Sequence, residues 1–147
     1  MVIVRFIGGL GNQMFQYSFY KYLESMGVNV KADVNDFKNY KLHNGFELER
    51  VFNIRLNKAS HIEINKYKDS NPGLFYRMKR RIFGQKKSHQ YESIFSFQTL
   101  DVKQNLYLDG YWQAEKFISP NIRSIREYFI FRSTPSFINA EIIKEME

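Results

Sequence analysis

Residues 2–16 read VIVRFIGGLGNQMFQ, which is an apolar run followed by a glycine-rich turn and the beginning of an amphipathic pattern. The run from Val2 to Ile7 consists of β-branched and aromatic residues apart from Arg5. Short runs of this kind bounded by glycine are typical of buried strands. The stretch therefore predicts the first strand of an α/β domain.

A helix is expected after the turn, from Gln13 to Met26, because apolar residues recur there every three or four positions. Asn12 is a favourable N-cap residue, and Gly27 stands where a glycine often ends a helix. The segment from Val28 to Asp33 then alternates apolar and polar residues, which predicts a second strand. A strand, a helix and a strand in this order predict a parallel βαβ unit with Asp33 at one end of its second strand.

The glycine turn has two interpretations. Gly8, Gly9 and Gly11 allow the backbone N–H groups at the start of the helix to face an open cleft. The helix dipole favours the binding of an anion or a sugar nucleotide there. In that case these glycines, Asn12 and Gln13 border a ligand-binding cleft. The same glycines also suit a tight turn with no ligand.

Common nucleotide-binding motifs fit the turn poorly. A P-loop requires Gly-Lys-Ser/Thr, whereas Gly11 is followed by Asn12 and Gln13. A dinucleotide fingerprint requires a third small residue where Met14 stands, although Asp33 lies near the position of a ribose-binding carboxylate. The P-loop is excluded, and a nicotinamide dehydrogenase is only a weak alternative.

Residues 7–17, IGGLGNQMFQY, resemble the N-terminal signature of glycosyltransferase family eleven, the alpha-1,2-fucosyltransferases. That signature is a strand followed by GGLGNQ, a hydrophobic residue, FQ and Tyr. Phe46–Leu48 with Val51–Ile54 is similar to the family's FEL…VFNI segment, and Leu108–Phe117 is similar to its GYFQSEKYF segment. The three blocks occur in the family's order.

The resemblance implies a Rossmann-like parallel sheet with flanking helices, in which residues 1–147 form the N-terminal, acceptor-side lobe of a GT-B type glycosyltransferase. The family's donor-binding lobe carries an HxRRGD motif, which does not occur in this sequence. The intact enzyme is expected to transfer L-fucose from GDP-fucose to the 2-hydroxyl of a terminal β-galactoside during polysaccharide synthesis. The resemblance also implies that the transfer inverts the configuration at the transferred sugar and needs no metal or cofactor. This lobe alone is expected to be inactive.

Such a transfer needs a general base for the proton of the attacking hydroxyl. The sequence offers four candidates and does not choose among them: Asp33, His43, Asp109 and Glu115. No metal site is expected, because the chain has no cysteine and its three histidines lack ligand-like spacing.

The acceptor side is expected at the end of a further strand, Leu106–Asp109. Tyr111 and Trp112 follow it and can lie against a sugar ring, while Gln113 can bind hydroxyl groups. Without the resemblance, an aromatic pair after a strand is equally ordinary core material. Ser119 with Pro120 predicts another helix start, and a last helix is expected from residue 136 onward.

Residues 74–83, LFYRMKRRIF, predict a basic amphipathic helix, and six Lys or Arg residues lie between Arg77 and Lys87. Such a segment suits an anionic membrane or a nucleic acid, or it is the solvated face of an insertion. The second function class is therefore a non-catalytic sugar- or nucleotide-binding module with a membrane- or RNA-docking helix. The solvated face is the favoured interpretation, and under the fucosyltransferase resemblance the alternative for Arg77–Lys87 is peripheral membrane contact, with no nucleic acid expected.

The composition fits one globular domain. The chain has 147 residues, of which 44% are hydrophobic, and a net charge of +7 that suggests a polyanionic partner. No apolar run approaches the length of about 20 residues that spans a membrane, and the N-terminus lacks the pattern of a signal peptide. The expected location is the cytoplasm, with possible contact at the inner face of the membrane.

Overall fold

A computed structural model describes residues 1–39, 44–69, 73–92 and 105–133. In chain order the strands and α-helices are β1 (Val2–Arg5), α1 (Leu10–Ser25), β2 (Val30–Asp33), α2 (Leu48–Val51), α3 (His61–Tyr67), α4 (Leu74–Phe83), β3 (His89–Tyr91), β4 (Leu106–Asp109) and α5 (Ile122–Tyr128). The predicted last helix lies outside the described residues.

The four strands form one parallel sheet in the order β2-β1-β4-β3. The protein is an α/β fold, and the predicted parallel βαβ unit is confirmed by the pairing of β1 with β2. Val2 lies opposite Val30 on one side and Leu106 on the other, so β1 is a central strand. All four strands end at the same edge, which holds Asp33 and Asp109.

One face of the sheet carries the main hydrophobic core. Val2, Val4 and Phe6 alternate onto this face and are completely buried, and they pack with Phe19 and Leu23 of α1. The apolar residues between positions 46 and 54 join the same core, which holds α2 in place.

The first helix differs from its prediction at both ends. It begins at Leu10, its N-cap is Gly9, and no side chain caps it, so Asn12 lies in the first turn and is not the cap. At the other end Met26 follows the helix and is 42% exposed, so it does not continue the buried stripe. Gly27 has a positive φ of 77°, as a glycine that ends a helix requires.

The opposite face of the sheet is mostly polar. Ile3 and Tyr107 are buried there with Ile64 of α3, but their neighbours on this face include Arg5 and Asp109. The alternation of strand residues explains the contrast, since successive side chains point to opposite faces and place Arg5 and Asp109 on this face beside Ile3 and Tyr107. This second face leads directly to the candidate site.

The remaining predictions are largely confirmed. Helix α4 occupies the predicted range, and a 3₁₀ turn at Ser119–Asn121 introduces α5. Within the described residues, no helix has the length and apolar character needed to cross a membrane.

Candidate functional site

The glycine turn joins β1 to α1 at the edge where the strands end. Gly8 has a positive φ of 81°, and a Cβ atom there would overlap the amide of Asn12. Gly11 is exposed, and a Cβ atom there would have no neighbour within 4 Å. Gly8 is thus required by the backbone and by close packing, whereas Gly11 leaves open space in front of the helix.

Gln13 is completely buried and serves the backbone. Its Nε2 donates to the carbonyl oxygens of Gly8 and Gly45 at 2.9 and 3.0 Å, and its Oε1 accepts from the N–H of Glu47 at 2.8 Å. The bond to Gly8 closes the glycine turn, and the other two bonds fasten the turn to the segment before α2. The polar atoms of the Gln13 side chain are therefore engaged by the backbone, and its place at a ligand-binding cleft stays a prediction.

Gln16 has a similar role that the sequence did not indicate. It is completely buried, accepts from the N–H of Ile7 at 3.0 Å and donates to the carbonyl oxygen of Gly110 at 3.1 Å. The two glutamines fix the turn against two different segments. The Asn-Gln pair and the later glutamine in GGLGNQMFQ are therefore partly structural.

Asn12 and Gln113 meet at the surface. The Nε2 of Gln113 donates to the Oδ1 of Asn12 at 2.7 Å, although the two residues are far apart in the sequence. This bond joins the glycine turn to the segment after β4. Asn12 is thus a residue of the turn whose side chain bonds directly to that segment.

The segment after β4 directs its two aromatic side chains in opposite directions. Trp112 has a positive φ of 58°, which is a strained conformation for a bulky residue, and its ring is buried and stacked on Phe19 at 4.3 Å. Tyr111 is 44% exposed, and its N–H donates to Glu92 Oε2 at 2.7 Å. The Trp112 side chain thus belongs to the core, and Tyr111 is the aromatic residue of the pair that is exposed to solvent.

Arg5 is the centre of a charged cluster on the polar face. Its Nη1 donates to both carboxylate oxygens of Asp109 at 2.9 Å, and its Nε donates to Asp36 Oδ2 at 2.7 Å. Burial alone would lower the pKa of Arg5, but the two carboxylates outweigh it and raise the pKa above its usual value. The guanidinium is therefore permanently charged and held between two strands and a loop.

Asp33 lies beside this cluster and is only 1% exposed. It accepts from the hydroxyl of Tyr107 at 2.8 Å and from the N–H of Asn35 at 3.0 Å. Burial and the charge of Asp33 raise the pKa of Tyr107, so its phenol stays protonated and donates. Lys68 Nζ lies 3.7 Å from Asp33 and 3.6 Å from Asp36.

The cluster has more negative than positive side chains. The three carboxylates of Asp33, Asp36 and Asp109 face the two cations of Arg5 and Lys68, which leaves one net negative charge. Both cations are engaged by these carboxylates. This edge is consequently better suited to hydroxyl groups, which donate to carboxylates, than to a diphosphate.

His89 closes the cluster from β3. Its Nδ1 accepts from the N–H of Asp69 at 3.1 Å, so the ring proton lies on Nε2, which is 3.4 Å from Asp109 Oδ2. Burial raises the pKa of Asp109, but the interactions with His89 and Arg5 outweigh it and hold the pKa below its usual value. Asp109 is therefore ionised at neutral pH and fully occupied by its partners.

The other predicted site residues do not join this group. Glu115 is exposed in a 3₁₀ turn, where its Oε1 lies 3.4 Å from Ser119 Oγ. His43 lies outside the described residues. Across the described part of the chain, no set of three or more metal-binding side chains is found.

A surface hollow of about 330 Å³ lies away from this edge, between the end of α1 and α5. Lys21, Glu24 and Tyr128 are among its lining residues. It contains none of the residues that the sequence predicted for the site.

Sequence reasoning missed Arg5 and His89 as partners of Asp109, and Asp36 as the second carboxylate bound to Arg5. One signal was present, because a single arginine within a buried apolar strand needs a buried carboxylate. The sequence could not identify that carboxylate, since Arg5 and Asp109 are brought together only by the pairing of β1 with β4.

The chain is 32% identical to an alpha-1,2-colitosyltransferase of Escherichia coli over an alignment 154 positions long. The similarity covers 96% of this chain and 47% of that enzyme, so the chain spans about half the length of this relative. No protein-family profile matches the chain, and no solved structure does. The similarity relates the chain to a glycosyltransferase.

Proposed function

We propose that this chain is the acceptor-side lobe of a GT-B type glycosyltransferase that transfers L-fucose from GDP-fucose to the 2-hydroxyl of a terminal β-galactoside. The observation that carries the proposal is the carboxylate-rich strand edge beside the glycine turn. The ordered resemblance to the alpha-1,2-fucosyltransferases and the similarity to an alpha-1,2-colitosyltransferase support the same class of reaction.

The acceptor sugar is expected to bind at the strand edge. Asp36 is 35% exposed and is the most accessible carboxylate of the charged cluster, while Arg5 fixes its position. A carboxylate accepts hydrogen bonds from sugar hydroxyls, and the exposed ring of Tyr111 offers an apolar face to the C–H side of a pyranose.

The donor diphosphate is expected to bind elsewhere. Charge develops on a leaving diphosphate in the transition state, so it requires fixed cations. Arg5 and Lys68 are already paired with carboxylates. We infer that the donor is held by a second lobe of the HxRRGD type, and that the α1 N-terminus with Asn12 meets it across the cleft.

The reaction would be a single displacement. The acceptor 2-hydroxyl oxygen attacks C1 of fucose, the bond from C1 to the GDP oxygen breaks, and a general base takes the hydroxyl proton. Asp109 has a lowered pKa and two partners, so it suits positioning of Arg5 better than proton removal. Asp33 is buried against Tyr107, which leaves His43 and Glu115 as candidates for the base.

The proposal is tested with the protein isolated from its source, by measuring GDP release from GDP-fucose with and without a β-galactoside. Acceptor-dependent release and a new alpha-1,2 linkage are expected. Release only with the nucleotide-activated form of colitose would refute the fucose donor. Binding of either sugar without release would indicate the non-catalytic binding module instead.

Asn12→Ala tests the cleft at a single side chain. Because Asn12 makes one described side-chain hydrogen bond, to Gln113, its loss should lower stability by less than about 1 kcal/mol. Turnover should fall by about tenfold or more if the amide contacts donor or acceptor, as one hydrogen bond to a reacting group is worth that much. Asn121→Ala is the matched control, because Asn121 also makes one described side-chain bond, to Ser25 Oγ at 3.2 Å. Equal turnover in both variants would exclude Asn12 from the site.

A further inference from the structure

Helix α4 exposes its apolar side chains. It has no buried residue, and its large apolar residues are 42–77% exposed: Leu74, Phe75, Tyr76, Met78, Ile82 and Phe83. A group of this size on one short helix is unusual for a surface that faces only water.

The attachment of α4 explains the orientation of this apolar group. Leu74, Met78 and Ile82 are spaced four residues apart and form one stripe along the helix. Arg80 lies on the opposite side of the helix, is the most buried residue of α4 and contacts Asp69 Oδ1 at 3.2 Å. The side of the helix that carries Arg80 is therefore attached to the protein, and the stripe of Leu74, Met78 and Ile82 is directed away from it.

Cations border the stripe. Lys79 and Arg81 lie at its two sides, and Arg77 and Lys87 are exposed nearby. The helix itself contains no acidic residue. An outward apolar stripe flanked by lysine and arginine matches an anionic lipid surface, where apolar side chains enter the acyl boundary and cations meet the headgroups.

We propose that α4 docks this protein on an anionic lipid surface, with Leu74, Met78 and Ile82 inserted and the flanking cations on the headgroups. A nucleic acid would use the cations but has no place for the aliphatic stripe. Docking is separate from the proposed transfer reaction, since none of these residues lies at the strand edge.

The test is sedimentation of the protein isolated from its source with vesicles. Binding to phosphatidylcholine vesicles that contain phosphatidylglycerol is expected to exceed binding to phosphatidylcholine alone by about tenfold, and to weaken as sodium chloride is raised. Absence of binding to either vesicle would overturn the proposal and indicate that another part of the protein, or a partner, covers the stripe. Equal binding to both vesicles would also overturn the anionic requirement.

Variants separate the two contributions. The double variant Met78→Ser and Ile82→Ser should reduce vesicle binding about tenfold, whereas Ile62→Ser, which changes an 81% exposed residue on α3, should leave it unchanged. Lys79→Glu with Arg81→Glu should abolish the preference for anionic vesicles, and Arg123→Glu with Arg126→Glu on α5 is the charge-matched control. Equal losses in test and control variants would show a nonspecific charge or hydrophobic effect and refute docking through α4.

Discussion

Gln13→Ala tests the structural role of the buried glutamine in the glycine turn. The substitution removes three hydrogen bonds, to the carbonyl oxygens of Gly8 and Gly45 and from the N–H of Glu47. A buried polar group that loses its partner costs about 1–3 kcal/mol, and water can replace part of the loss at the half-buried Gly45. We expect a loss of about 3–5 kcal/mol, which is a large fraction of the roughly 5–15 kcal/mol of a typical domain.

The assay is urea unfolding followed by tryptophan fluorescence. Trp112 is the single tryptophan and is buried against Phe19, so its emission reports loss of the core around the turn. Gln13→Met separates packing from hydrogen bonding, because methionine fills a similar volume without polar groups. Most of the destabilisation should remain in this variant.

Gln113→Ala is the control, since Gln113 is exposed and makes one described bond, to Asn12. It should change stability by about 0.5 kcal/mol or less. If Gln13→Ala were no more destabilising than this control, Gln13 would not hold the turn. A large loss of turnover at unchanged stability would then restore its predicted role at the ligand.

Two further predictions concern the same edge of the sheet. Asp109→Asn should lower stability by about 2 kcal/mol at pH 7, because it breaks a mostly buried pair with Arg5 that Asp36 only partly replaces. Because the pKa of Asp109 is lowered in the folded protein, its ionised form stabilises the folded state at pH values above the unfolded pKa of about 4. This contribution disappears as the pH falls through the folded pKa. The urea midpoints of the variant and the wild type should therefore converge below about pH 4. Convergence at higher pH, or none, would contradict the assignment. Gly110→Ala places a Cβ atom 2.5 Å from Glu92 Cβ and should lower the free energy of unfolding by about 1–3 kcal/mol, measured by urea unfolding. Gly11→Ala is the control and should be neutral or slightly stabilising, because residue 11 is exposed and a Cβ atom there has no neighbour within 4 Å. Similar effects of the two substitutions would refute the close packing at Gly110.

The charged cluster at the strand edge has carboxylates in excess of cations, which bears on what the proposed site can bind. A chain that both binds a diphosphate and orients an acceptor needs unpaired cations and free carboxylates in one place. Here Arg5 and Lys68 are paired, and Asp36 remains half-exposed. That charge balance supports the proposal that a second lobe binds the diphosphate.

Local pattern was sufficient to predict the main elements. The apolar run of β1, the periodicity of α1 and the composition of α4 are properties of neighbouring residues, because strand and helix periods place every second or every third to fourth side chain on one face. The parallel pairing of β1 with β2 followed from the short βαβ connection. The same blocks carried the resemblance that the similarity to a glycosyltransferase supports.

The tertiary structure decided which of these residues are available for chemistry. Strand order places β4 beside β1, so Arg5 meets Asp109 although 104 positions separate them. The strained backbone at Trp112 directs its ring into the core. The side chain of Gln13 is occupied by hydrogen bonds to backbone groups. The sequence by itself determined β1, β2, β4, α1 and α4, whereas it did not predict α3 or β3. Only the assembled sheet determined which polar groups pair with one another, because burial makes every charged group find a partner that can be distant in the chain.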